Sequence, residues 1–316
     1  MEVRGKRKRI KKSCERGGEP VKASVIVCST GRKTLFDCLE SLKTQDYTGY
    51  EVLVVSYEKA IEERVKNMGI KFVFSPKANL SYQRNLGIME SEGEFVCFID
   101  DDAIASPSWI RNLIEAFDDE KIACVGGKIS LRIEGEMEEE LKKLKTEILK
   151  GFLGETSLGE EKIEVKQPLL WGSNICFRKK VFEEVGYFDE RMGRTPELML
   201  YNEDIEIQRR ILRAGFKMIY EPRALVWHRI PPEKLKVEYF LQRSFWQGYS
   251  NALAIRREED TKKFVEKIKN QFWNFLLKEK IFEHFFETFI TTDINEKISK
   301  YQKIGMLIGL LEISRG

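Results

Sequence analysis

FVCFIDDDAIASPSW, residues 95–109, joins two stretches of opposite character. Phe95 to Ile99 is a continuous apolar run of strand length, the pattern of a strand buried on both faces. It stops at three consecutive carboxylates, Asp100, Asp101 and Asp102. Adjacent anions repel one another, and aspartate is a poor strand residue. A chain that puts three of them at the mouth of its core needs something there to offset the charge.

The flanking segments say what kind of core it is. Ala23–Ser29 (ASVIVCS) and Tyr50–Val55 (YEVLVV) read as further buried strands, and Ile70–Phe74 as another. Between them, Thr34 to Gln45, Ala60 to Met68 and Ser81 to Ser91 carry helical patterns, with apolar residues at 35, 38, 39 and 42 in the first. Strands alternating with helices predict an α/β fold with a mostly parallel sheet flanked by helices. Ligands of such sheets sit outside the carboxyl ends of the strands, and the three aspartates stand at such an end.

Downstream, Pro107 to Phe117 reads as a helix, Ala123–Ile129 as a strand, and Leu169 to Phe177 as a strand interrupted at Gly172–Asn174. Lys179 to Val185 and Glu203 to Ala214 read as helices, the second closed by Gly215. Phe216–Tyr220 and Ala224–His228 read as two strands around Glu221–Pro222. Residues 131–166 are charge-rich and predict a solvated insertion with one helix around 136–150. After Pro231–Pro232 only helices are expected, with a Phe-rich stripe from Phe264 to Phe289. The expected division is a basic tail over 1–21, the α/β domain over 22–230 and a helical C-terminal extension over 231–316.

Residues 1–22 carry nine Lys/Arg against three Glu, so the +3 net charge of the chain is concentrated in the tail and the remainder is slightly acidic. The tail reads as a disordered, solubilising segment or as an anchor to anionic lipid headgroups. No basic–aromatic pattern continues into the folded part, which argues against nucleic acid. The Phe-rich stripe reads as a helix packed on the main domain or a partner subunit, or as an interfacial membrane helix. Six cysteines have neither metal-ligand nor redox-pair spacing. With no signal-peptide pattern at the start, they predict reduced thiols and a cytoplasmic compartment; the basic tail and the Phe-rich stripe are what would give it a peripheral contact with the inner face of the cell membrane.

Two further clusters join the aspartates. Glu203 and Asp204 open a helix, where the helix dipole favours anions. His228, one of only two histidines, ends a strand. Hard carboxylate oxygens suit Mg2+ or Mn2+, which can bridge them to a diphosphate. Each feature also has a bland reading, as a polar turn, a helix-start charge or a structural histidine.

Taken in order, the motifs resemble the family 2 glycosyltransferases. ASVIVCSTGRKTLFDCLESLKTQ resembles that family's opening strand, turn and helix, and YQRNLGI its RN-G element. FIDDDAIASPSWI resembles the DXD motif, WGSNICFRKKVFEEVGYFDERM the acceptor-side segment, and NEDIEIQRRILRAGFKMIYEPRALVWH the ED helix and the strand ending in histidine. The resemblance covers about residues 22–230. It implies a Rossmann-like GT-A fold and an inverting transferase taking a sugar from a nucleotide-diphosphate sugar to a glycan or lipid-linked acceptor.

By position, the resemblance implies that Asp204 is the catalytic base with Glu203 beside it. Asp102, Asp100 and His228 would hold a divalent metal, Mn2+ or Mg2+. Ser29, Arg32, Ser56, Glu58, Arg84, Asn85, Asp100 and Asp101 would bind the donor, and Trp171, Gly172 and Asn174 would shape the sugar and acceptor pocket. One departure stands out: Ser56 and Tyr57 occupy the end of the second strand, where the family usually has acids that hold the nucleobase, and Glu58 is the nearby substitute. Two rivals stay open, a sugar-nucleotide nucleotidyltransferase and a non-catalytic nucleotide- or carbohydrate-binding protein. The turn STGRKT lacks the earlier glycine of a phosphate-cradling loop, which disfavours the first.

Overall fold

The structure, a computed structural model of the 316-residue chain, describes residues 21–258 and 291–315. The basic tail over 1–20, Cys14 and the Phe-rich stripe lie outside the described residues.

The first half alternates as expected: β1 (Ala23–Ser29), α1 (Thr34–Lys43), β2 (Tyr50–Ser56), α2 (Glu62–Asn67), β3 (Lys71–Phe74), α3 (Leu80–Glu90) and β4 (Phe95–Ile99). β1 pairs parallel with β2 and β4, and β2 with β3. The apolar runs are continuous because both faces are covered. Val25, Val27, Cys97 and Ile99 join one core cluster with Leu35, Leu39 and Trp109. Ile26, Val96 and Phe98 join the other with Ile88, Phe177 and Ile207. The period-two alternation of a strand thus feeds two separate cores.

The second half comprises β5 (Ala103–Ala105), α4 (Trp109–Glu115), β6 (Ile122–Ile133), α5 (Thr146–Leu153), β7 (Ile163–Glu164), β8 (Asn174–Arg178), α6 (Val181–Val185), α7 (Glu203–Arg213) and β9 (Lys217–Ile230). The sheet runs β3-β2-β1-β4-β8-β6-β9-β5, with β7 also on β9. The parallel order stops at β4, and β8 lies antiparallel beside it with Asn174 opposite Ile99. The loop that enters β8 therefore arrives at the carboxyl end of β4, next to the three aspartates.

Glu221–Pro222 does not divide two strands. β9 is continuous, and its pairing with β6 jumps from Gly127↔Glu221 to Ile129↔Val226. Such an irregularity absorbs a proline that cannot donate to the ladder. Beyond it, β9 carries β5, with His228 opposite Ala103. That register sets His228 beside Asp102.

The charge-rich insertion is less solvated than its composition predicts. Its helix is α5, preceded by a short 3-10 turn at Leu141–Lys143, in place of one helix around 136–150. Leu141, Leu144 and Leu153 form a third cluster with Ile230 at the end of β9, with Leu235 and Phe240 from the start of the extension, and with Ile294 and Ile298. The described extension contains α8 (Val237–Glu258) and α9 (Ile294–Arg315). The two touch backbone to backbone: a Cβ on Gly248 would fall 1.8 Å from the Gln302 carbonyl oxygen, and one on Gly305 1.8 Å from that of Phe245. Among the described residues no helix is long and apolar enough to cross a membrane. The described cysteines are free thiols, and burial pushes Cys28 up to about 12.

Candidate active site

One cleft of ≈ 470 Å³ opens at the carboxyl ends of β1 and β4 and is closed by α5, the loop into β8, the start of α7 and α8. Asp100, Asp101, Asp102, Glu203, Asp204 and His228 all line it, although up to 128 residues separate them in the chain. Ser29, Arg32, Arg84, Trp171 and Gly172 line it too.

The three aspartates are unequal. Asp102 is buried, with Oδ2 3.1 Å from Lys234 Nζ and 3.2 Å from Arg32 Nη1, and Oδ1 3.3 Å from His228 Nε2. Burial pushes its carboxyl up, but His228, Lys234 and Arg32 outweigh that and hold it well below the usual carboxylate range. Asp101 accepts a 2.7 Å hydrogen bond from Ser29 Oγ, which in turn accepts from the Gly31 amide. Burial and the Asp102 charge nevertheless raise Asp101 to about 6. Asp100 is partly exposed to the cleft, and desolvation and Asp102 raise its pKa as well.

His228 is oriented by the insertion. Its Nδ1 lies 2.9 Å from the Leu153 carbonyl oxygen, which can only accept, so Nδ1 donates there and the ring is turned with Nε2 toward Asp102. Lys234 Nζ lies 3.4 Å from Nε2 and shares Asp102 with it. Among the described residues no group of three or more His, Cys, Asp or Glu side chains is close enough to hold a metal ion. The donor set at hand is one carboxylate and one imidazole, both of types that hard and borderline divalent ions accept.

Across the cleft, Glu203 and Asp204 begin α7. Asn202 precedes them with φ 77°, the one non-glycine residue with positive φ among the described residues. Such strain persists only when the surroundings over-determine it. Here α8 does so: Gln247 Nε2 donates to Asn202 Oδ1, Asn202 Nδ2 donates to Asn251 Oδ1, and the Tyr201 amide donates to Ser250 Oγ. Asp204 Oδ2 accepts from the Gly172 amide at 2.8 Å and Oδ1 from the Ile205 amide. Burial raises its pKa against the pull of Arg84 and these amides. Glu203 is bound to Arg84, and burial and then the Asp204 charge raise it. A Cβ on Gly172 would lie 2.4 Å from Arg84 Nη2, so a side chain there would displace the guanidinium that Glu203 holds.

Four sequence-derived candidates are not on the cleft wall. Asn85 is tied to both backbone groups of Phe188. Asn174 accepts from Trp109 Nε1 and donates to the Lys128 and Ala224 carbonyls. Ser56 accepts from the Glu58 amide, and Glu58 caps the short helix that follows. Tyr57 lines the cleft at that place instead. Sequence reasoning missed Lys234, Arg194, Arg243 and the α5 residues Phe152 and Leu153, all of which line the cleft. Arg243, set in the aromatic stretch VEYFLQRSFW, carried the one available signal: a charge inside an apolar helical stripe.

The sequence and the fold match known proteins. The pattern of Glycosyl transferase family 2 matches residues 24–186, just over half of the chain, and the chain belongs to that family. It is an enzyme, a glycosyltransferase of GT-A fold. It is 29% identical over 244 residues to glucosyl-dolichyl phosphate glucuronosyltransferase of Haloferax volcanii, across 73% of this chain and 76% of that one. It is 27% identical over 190 residues to pre-mycofactocin glycosyltransferase of Mycobacterium tuberculosis, where it spans only 36% of the relative's length. Among solved structures, GalNAc-T7 with UDP, GalNAc and Mn2+ superposes with a TM-score of 0.53 at 15% identity, over 81% of this chain and 57% of that one, a likeness of fold alone.

Proposed function

We propose that the protein is an inverting, metal-dependent transferase that moves a sugar from a nucleotide-diphosphate sugar to a hydroxyl of a glycan or lipid-linked acceptor. The observation that carries the reading is the opposition, in one cleft, of the Asp100–Asp102 and His228 cluster to buried Asp204. The first is a site for the donor's diphosphate; the second is a general base. The name of the Haloferax relative, whose acceptor is a dolichyl phosphate-linked sugar, supports a lipid-linked acceptor.

Asp102 and His228 would hold a Mn2+ or Mg2+ ion, with Asp100 completing the acidic face and diphosphate oxygens as the remaining ligands. A divalent ion there supplies charge stabilisation for the departing diphosphate. The chain's own cations do the same work. Arg32 and Lys234 already stand at Asp102 and reach the same anion. Ser29 fixes Asp101, and Tyr57 faces the nucleobase region where the acids of the family are absent.

Asp204 takes the proton of the attacking acceptor hydroxyl. Its burial keeps it basic for a carboxylate, and the amides of Gly172 and Ile205 fix its orientation. Arg84 and Glu203 neutralise one another beside it, so Glu203 positions the base rather than sharing its task. Trp171 and Gly172 face the sugar. Direct displacement by the hydroxyl needs no protein nucleophile and inverts the anomeric centre. We read residues 22–230 as the transferase domain and 231–316 as an extension that braces the Asn202 turn. The buried free thiols fit a reducing, cytoplasmic compartment.

A panel of UDP- and GDP-sugars tests the reading. At least one should raise the melting temperature with Mn2+ present, and its sugar should be transferred with inversion, seen by NMR of the product. Transfer should stop with EDTA. A donor that binds without turnover under any acceptor would exclude the enzyme mechanism described here.

A further inference from the structure

The cleft holds five Lys/Arg side chains among the described residues: Arg32, Arg84, Arg194, Lys234 and Arg243. Three are paired, Arg32 and Lys234 with Asp102 and Arg84 with Glu203. Arg194 and Arg243 have no carboxylate in ion-pair range among the described residues. Both lie against one ring: the guanidinium of Arg243 is 4.1 Å and that of Arg194 5.7 Å from the centroid of Tyr201. Arg243 is only 5% exposed, also packs on Phe152, and its Nε is buried with no hydrogen-bond partner among the described residues.

A buried guanidinium without a counter-charge is costly, and two of them around one ring repel. Aromatic faces offset part of that cost, but they leave N–H donors unmet. An anionic ligand group would meet them. Tyr201 stands directly before Asn202, Glu203 and Asp204, so this corner adjoins the proposed base rather than the diphosphate cluster. Resting on the glycosyl-transfer reading above, we propose that Arg194 and Arg243 form a subsite for a phosphate ester carried by the acceptor. A phosphate suits the pair: its non-bridging oxygens can accept from both guanidinium groups at once. Phe152, Leu200 and Tyr239 give the same corner apolar walls. The phosphate takes no part in bond making; it anchors the acceptor while a sugar hydroxyl faces Asp204.

The test uses the full chain and the donor found in the panel above, with three acceptors: glucosyl phosphoryl farnesol, glucose 1-phosphate and the neutral octyl glucoside. Donor hydrolysis is followed in parallel. The two phosphorylated acceptors should show KM values about tenfold or more below the neutral one, the weight of one charge-assisted hydrogen bond. Arg243→Met and, separately, the less buried Arg194→Met should collapse that preference, and Arg243→Lys should keep part of it. The Arg194 variant keeps the test valid if Arg243→Met does not fold. A further drop in KM for the farnesyl compound over glucose 1-phosphate marks a lipid-linked source, and equal values mark a soluble sugar phosphate. Equal KM for neutral and phosphorylated acceptors, or a preference unchanged in both methionine variants, overturns the subsite while donor turnover leaves the transferase reading standing. Absence of hydrolysis and transfer with every donor overturns both.

Discussion

Arg84 Nη1 lies 2.6 Å from Glu203 Oε1 with both side chains buried, and this ion pair locks α3 to the start of α7. Removing one partner leaves the other charge buried without compensation, which typically costs about 3–5 kcal/mol. Arg84→Met should therefore lower the unfolding free energy by about that amount in urea titrations. Glu203→Gln, which keeps an acceptor for the guanidinium but leaves its charge unpaired, should cost no less than a neutral hydrogen bond, about 1 kcal/mol. A loss under 1 kcal/mol in the arginine variant would mean that the pair does not hold the site together.

Lys234 Nζ lies on Asp102 Oδ2 and His228 Nε2, the two side chains that would hold the proposed divalent ion. Lys234→Met should remove a competing cation and tighten Mn2+ binding in the absence of nucleotide by about tenfold, a charge-assisted contact's worth. Electron paramagnetic resonance of free Mn2+ measures this directly. Weaker binding in the variant would show that Lys234 aids the metal rather than competing with it.

Asp101 is raised from an ordinary 3.8 to about 6 by burial and the neighbouring Asp102. The folded state thus keeps a proton that the unfolded chain loses. The sign follows: stability falls as pH rises between about 4 and 6, and at neutral pH the ionised carboxylate costs about 3 kcal/mol. Asp101→Asn, whose amide oxygen still accepts from Ser29, should melt progressively higher than the native chain as pH goes from 4 to 7 in EDTA. A melting-temperature difference that stays constant across that range contradicts the assignment.

Asn251 and Gln247 on α8 hold Asn202 in its left-handed conformation. Asn251→Ala should let the turn relax and shift Asp204, lowering kcat by about tenfold or more, since small misplacements of a reacting group are costly. The KM for donor should change little, because the diphosphate cluster lies across the cleft. A larger effect on donor KM than on kcat would detach α8 from the base.

The chemistry of the cleft was legible where charge interrupts a periodic apolar pattern. Asp100–Asp102 end a buried strand, Glu203–Asp204 open an amphipathic helix, and His228 closes a strand; such breaks mark the ends of elements, where clefts form. Asn85 and Asn174 show the limit of that logic. In sequence, a motif amide facing a ligand and one tying backbone together look the same, and these two tie backbone. The reversal at β8 and the unbroken course of β9 through Pro222 depend on non-local register, which local periodicity does not encode. The insertion's charge predicts solvation, yet Leu141, Leu144 and Leu153 pack against residues of α8 and α9 that lie far away in the sequence.

The central claim is that Asp204 is the base of glycosyl transfer, and Asp204→Asn tests it most directly. The amide keeps the shape and an acceptor for the Gly172 amide but cannot take a proton. With the donor identified by thermal shift, the variant should show the native stabilisation by donor and Mn2+ while transfer to acceptor falls by about 10²–10⁴-fold. Transfer at the native rate by a variant that binds donor normally would contradict the account.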